Sequence, residues 1–209
     1  GRNIKPYPAN DDGTIDIDKI EAVFREWENI TNNSHLIKLL TVTGCSNVSG
    51  YKPPIYDFAR LAHRYGAKIL VDVCQLIQHE RVDMLPDDDP SHLDFIAFSG
   101  HKMYAPFGSG VLVGPKTFFD QSSPYQIGGG NLPYLTSNLK VLRFQTVQTH
   151  DPGTPNVIGA LATARSIEEL EIGMENIKDY EYKLVGLALS ELRKNTKVKL
   201  YNAEPHGSV

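Results

Sequence analysis

Asp72, Gln75, Ser99, His101 and Lys102 are the residues whose types and spacing could do chemistry in this chain. Lys102 stands in the run Asp94-Phe95-Ile96-Ala97-Phe98-Ser99-Gly100-His101-Lys102-Met103-Tyr104. Phe95 to Phe98 is a short apolar stretch of the kind that forms a strand buried on both faces. It breaks directly into Ser-Gly-His-Lys. An amine partly withdrawn from water gives up its proton more readily, and the neutral form is a nucleophile toward a carbonyl. Ser99 and His101 flank the lysine with two donors, and Gly100 would let the backbone come close to a ligand. A lone lysine here would more simply lead its ammonium out to solvent.

A second stretch favours the chemical reading. Gly66-Ala-Lys-Ile-Leu-Val-Asp-Val-Cys-Gln75 sets an apolar strand, Ile69 to Val71, directly before Asp72. A carboxylate at the C-terminal end of a parallel strand faces the crevice where open α/β sheets bind ligands. Asp72 and Lys102 are separated by about the length of one βαβ unit, which sets them on the same rim of one sheet. Pyridoxal phosphate needs that pair: an acid for its pyridinium nitrogen and a lysine for its aldehyde. A Schiff-base lyase without that cofactor would not need Asp72 and Gln75 beside Lys102.

These motifs resemble a known family. Val71-Asp72-x-x-Gln75, then Asp94-Phe95-x-x-x-Ser99-Gly100-His101-Lys102-x-Tyr104-x-Pro106-x-Gly108-x-Gly110, is similar to the class V aminotransferase group of fold-type I pyridoxal-phosphate enzymes. Cysteine desulfurases and selenocysteine lyases are its best-known members. Ser46-Asn47-Val48-Ser49-Gly50 resembles the family's Ser-Asn-x-x-Gly turn, and Gly153-Thr154-Pro155-Asn156 its Gly-Thr-Pro-Asn. Together the matches cover roughly residues 5 to 195.

The resemblance implies a three-layer α/β/α fold with a mostly parallel sheet, the type I large domain. Residues 1–197 would form its second half, and 198–209 the start of a C-terminal small domain. It implies Lys102 as the Schiff-base lysine that also moves the substrate's α-proton, and Asp72 as the partner of the pyridinium. Ser99 and His101 would hold the phosphate. Gln75 would donate to the phenolic oxygen, Asn47 would lie near that oxygen or the substrate carboxylate, and Cys74 would pack on the ring. A homodimer is implied, with Thr154 touching the phosphate of the neighbouring subunit. The substrate would be an amino acid, and the chemistry desulfuration, deselenation or transamination. An incomplete fragment, or a remnant without turnover, is the alternative. The phosphate-binding loop that the family carries before Asn47 has no counterpart here, and no arginine clamp for a substrate carboxylate is identifiable. The sequence departs from the family at Val73-Cys74, where the usual residues are small, and at Asp151-Pro152, which replaces Glu-Ala.

Composition narrows the classes further. The net charge is −4 over 209 residues without a basic run, which argues against a nucleic-acid or anionic-membrane partner. No apolar stretch approaches the roughly 20 residues of a membrane span, and no leader pattern opens the chain. Two cysteines, Cys45 and Cys74, fit a reducing cytoplasm rather than a disulfide scaffold. CxxC, HExxH and GxGxxG are all missing, so no metal site is expected.

The elements that position these residues follow from periodicity. Asp16 is expected to cap a helix with Ile17, Ile20, Val23, Phe24 and Trp27 inward. Leu36 to Thr43 reads as a buried strand. Pro53-Pro54 should start a helix through Ile55, Phe58, Ala59 and Ala62 that Gly66 closes. Val111 to Val113 reads as a strand, and Arg143-Phe144 leads into the Asp151-Pro152 loop. Thr154 is expected to cap a helix through Val157, Leu161, Ala164 and Ile167. A second helix should run from about Glu175 to Leu192. His79 reads as a surface or interface residue, and Val198 to Tyr201 as a strand.

Overall fold

A computed structural model describes residues 4–31, 37–130, 134–135, 137, 141–142 and 146–201. The expected Arg143-Phe144 segment lies outside the described residues. Four strands form one mixed sheet: β1 (Leu39–Thr43), β2 (Lys68–Asp72), β3 (Phe95–Ser99) and β4 (Gly110–Val113), hydrogen-bonded in that order. The first three run parallel and β4 returns antiparallel on β3. Tyr134–Leu135 and Val141–Leu142 make a separate two-residue ladder.

Parallel neighbours need a crossover. Between β1 and β2 it is the helix Ile55–Arg64 (α2), whose residues Ile55, Phe58, Ala59, Leu61 and Ala62 are buried. Pro54 precedes it, and Gly66 ends it at φ 67°, where the Ala67 N–H donates to the Ala62 carbonyl at 3.0 Å. Helix α1 (Ile17–Thr31) packs on α2 through Ile20 and Phe24. Asp16 does cap it, with Oδ1 accepting from the Asp18 N–H at 2.9 Å. The β2–β3 crossover contains no helix, only turns between Val73 and Asp94.

Register and alternation divide the sheet into two faces. Leu40 pairs with Ile69, and Val42 with Val71 and through it Ile96. Partners in a parallel ladder point the same way, so these residues share one face, and all are buried in the core. The other face carries Leu39, Thr41, Thr43, Leu70, Asp72, Ala97 and Ser99.

Several expectations fail, most of them in the C-terminal third. The two predicted helices are one, α4 (Val157–Leu192), of 36 residues and roughly 54 Å. Gly173, inside it, costs about 1 kcal/mol against alanine, too little to break a helix whose flanks are strong helix formers. Its cap is Asn156, whose side chain accepts from the Gly159 N–H, rather than Thr154. The buried stripe is Gly159, Thr163, Leu170 and Met174, whereas Val157, Leu161, Ala164 and Ile167 are exposed. Small and polar residues lie inward because this face meets a backbone turn at close range. Val198 to Tyr201 is not a strand, and the first strand is shorter than expected, starting at Leu39.

Candidate functional site

The C-terminal ends of β1, β2 and β3 share one rim, because the three strands are parallel. Asp72 ends β2 and Ser99 ends β3 on the face opposite the α2 core, with Ala97 beside Asp72 in register. Asp72 Oδ1 accepts from the Cys74 N–H at 3.0 Å, turning the chain away from the sheet. Cys74 Sγ then lies 3.8 Å from Ser99 Oγ. Lys102 follows in a short 3₁₀ turn, Gly100–Met103, and is half-buried.

The thiol of Cys74 reports that these groups are close together. Burial pushes it above its ordinary range, and the Asp72 carboxylate pushes the same way. The Ser99 hydroxyl and the Lys102 charge oppose that rise. Asp72, Cys74, Ser99 and Lys102 therefore share one electrostatic neighbourhood.

The remaining expected residues are placed less closely. Gln75 is half-buried in the turn that follows β2. Asn47 is exposed in the turn after β1, where Ser46 Oγ accepts from the Val48 and Ser49 N–H groups, each at 3.2 Å. His101 is exposed, as is Thr154 just before α4.

Gly100 has a different use from the one expected. A Cβ there would strike Thr163 Oγ1 and Ser109 Oγ, so the missing side chain admits α4 rather than a ligand. Helix α4 grips the lysine turn at several points. Ser109 and Thr163 share a hydrogen bond, and the Ser166 hydroxyl donates to the Met103 carbonyl. Asn156 Nδ2 donates to the carbonyls of Phe107 at 2.6 Å and Gly108 at 3.2 Å. Sequence reasoning assigned none of these residues a role. The one available signal was Asn156 three residues before Gly159 at a helix start.

Two buried charge groups lie away from this rim. Asp94, at the start of β3, receives Lys68 Nζ at 2.6 Å, and its other oxygen faces the Ile69 N–H and His63 Nε2, each at 2.9 Å. Burial pushes the Asp94 carboxyl up, but Lys68, His63 and the Ile69 amide outweigh it and hold it below the ordinary carboxylate range. His92 Nε2 is 3.6 Å from the same carboxylate. The His63 and His92 rings stack 4.2 Å apart at 24°, and one nitrogen of each ring and an Asp94 oxygen lie within 4.8 Å of one another. His79, expected at the surface or an interface, is 9% exposed and meets Glu181 of α4 at 2.8 Å.

The aminotransferase class-V family model matches residues 1–209, and the chain belongs to that family. A cysteine desulfurase of Cronobacter sakazakii is 32% identical over 205 residues, covering 98% of this chain and 47% of that protein. One from Escherichia coli K12 is 31% identical over the same span. Among solved structures, the apo cysteine desulfurase of Thermococcus onnurineus NA1 superposes with a TM-score of 0.77 at 29% identity, over 97% of this chain and 48% of that one. A cysteine desulfurase of Escherichia coli superposes at 0.71, also with 29% identity, over 90% and 44%. The chain thus spans about half the length of the curated relatives it matches.

Proposed function

We propose that this chain supplies the lysine-bearing half of a pyridoxal-phosphate-dependent enzyme that acts on an amino acid, with cysteine desulfuration as the favoured reaction. The observation that carries the reading is the placement of Asp72 and Ser99 on one sheet face at one rim, with Lys102 in the next turn. An acid, a hydroxyl, a half-buried lysine and a small apolar thiol form a donor set that fits this cofactor. Its relatives, named as cysteine desulfurases, support the choice of reaction.

When bound, pyridoxal phosphate supplies a sink for the electrons left at the substrate's α-carbon. Lys102 would hold the cofactor's aldehyde and then carry the α-proton. Asp72 would keep the ring nitrogen protonated, and Ser99 and His101 would donate to the phosphate. Cys74 would lie on the ring as a small apolar group, with Gln75 and Asn47 as donors at the rim. Thr154 would reach the phosphate of a second copy. The exposed apolar residues of α4, including Val157, Ile158 and Leu161, favour such self-association.

Borohydride reduction in the presence of pyridoxal phosphate, followed by peptide mass spectrometry, tests the assignment. The label is expected on Lys102 and lost in Lys102→Ala. A label on another lysine, or none in a polypeptide of the relatives' full length, would show it to be wrong.

A further inference from the structure

The turn that carries Lys102 is bent in a way its own residues do not favour. Phe107 has φ 72° and Gly108 φ 57°, two consecutive residues in the left-handed region. Glycine adopts it freely, but an aromatic residue does so against steric repulsion between its Cβ and the backbone. Packing does not offset that strain, because the Phe107 side chain is 67% exposed. The compensation has to come from the backbone. Both carbonyls of the strained pair accept from one donor, Asn156 Nδ2, at 2.6 and 3.2 Å.

Asn156 is itself held in place. Its Oδ1 takes the Gly159 N–H at 3.0 Å, and a Cβ on Gly159 would collide with the amide. One side chain thus caps α4 with its oxygen and fastens the Phe107–Gly108 loop with its nitrogen. The loop is a closed ring of chain. The Gly100 N–H donates to the Ser109 carbonyl at 2.8 Å, and the Ala105 N–H to the Gly100 carbonyl at 3.0 Å. Lys102 lies inside that ring. If the left-handed pair relaxed, Ser109 and then Gly100 would shift, and the lysine with them.

We propose that Asn156 is a positioning residue for Lys102: its amide nitrogen latches Phe107 and Gly108 in their strained conformation and so fixes the lysine turn against the rim. The functional weight of this rests on Lys102 being the carbonyl-reactive lysine, while the latch itself does not.

The discriminating variant is Asn156→Asp, which keeps a cap oxygen for Gly159 and replaces the donor with an acceptor facing two carbonyls. The 209-residue chain is compared with its variants by hydrogen exchange over residues 100–109. In parallel, the rate of reductive methylation with formaldehyde at one fixed pH is read lysine by lysine. In Asn156→Asp, exchange in 100–109 is expected to rise about tenfold. The methylation rate of the half-buried Lys102 should move toward those of the exposed Lys183 and Lys197, which stay put. Phe107→Gly removes the strain, so Asn156→Asp/Phe107→Gly should recover much of the wild-type exchange and methylation rate. Unchanged exchange with an unchanged Lys102 methylation rate in Asn156→Asp overturns the proposal. So does a loss of protection that spreads evenly through α4 and the sheet, since the residue would then be a helix cap alone. A wild-type Lys102 that takes no pyridoxal phosphate in a polypeptide of the relatives' full length sinks the lysine assignment instead, and the exchange comparison still decides the latch.

Discussion

Asp72→Asn keeps the shape of the side chain while it removes the charge and turns one acceptor oxygen into a donor. A hydrogen bond to a charged group contributes roughly 1.5–3 kcal/mol, so the variant should bind pyridoxal phosphate about 10- to 100-fold more weakly. A fluorescence titration that finds equal affinity would remove Asp72 from its proposed place. The two cysteines make a second case. Burial raises both thiols above their ordinary range, so little thiolate is present near neutral pH. Neither is expected to carry a persulfide after cysteine turnover, and both should alkylate slowly with iodoacetamide at pH 7.5. Rapid labelling of Cys74, or a persulfide on either, would contradict this. Asp72, Ser99 and Lys102 were legible because polar residues that end apolar runs stand out. Asn156, Ser109 and Thr163 were not, because their partners lie about 50 residues away and are partly main-chain atoms.

Helix α2 and the start of β3 are joined through Asp94, and that joint responds to acid. Its carboxyl is depressed in the folded protein, so its contribution is fully present above the unfolded value of about 3.9. The contribution is lost as pH falls below that value through the folded one. Asp94→Asn should therefore lower the melting temperature at pH 7 and flatten its decline below about pH 4. A variant whose melting curve falls with acid as steeply as the wild type would refute the linkage. The helices show where periodicity succeeds and where it does not. In α2 the buried face is apolar, so the pattern reads correctly. In α4 the inward stripe includes Gly159 and Thr163, chosen for close approach, and apolar residues such as Leu161 point outward.

The strands were legible as short apolar runs and the mostly parallel sheet followed from the family resemblance, but the antiparallel return of β4 on β3 was not foreseen. The missing helix between β2 and β3 was not foreseen either, since turns there span the same length as a βαβ unit. Turnover is a property we assign to a polypeptide of the relatives' full length, because this chain spans 47% of the first of them. The arginines support that. Arg25, Arg60, Arg64, Arg81 and Arg165 all pair with carboxylates of this chain, which leaves none of these five to clamp a substrate. Incubating the 209-residue chain with cysteine and pyridoxal phosphate should yield negligible sulfide. Sustained multiple turnovers would overturn the assignment.

Helix α4 touches the Lys102 loop and the segment after the Asp72 turn along one rod. Its first turns hold the Lys102 loop through Thr163 and Ser166, and Glu181 and Lys178 hold His79 and Glu80 after the Asp72 turn. A rigid rod cannot release one attachment by sliding without straining the other. The amides of residues 100–109 and 76–82 should therefore open as one cooperative unit, with a common free energy and a common denaturant dependence. Two sequence segments separated by residues 83–99 would then share a single clock.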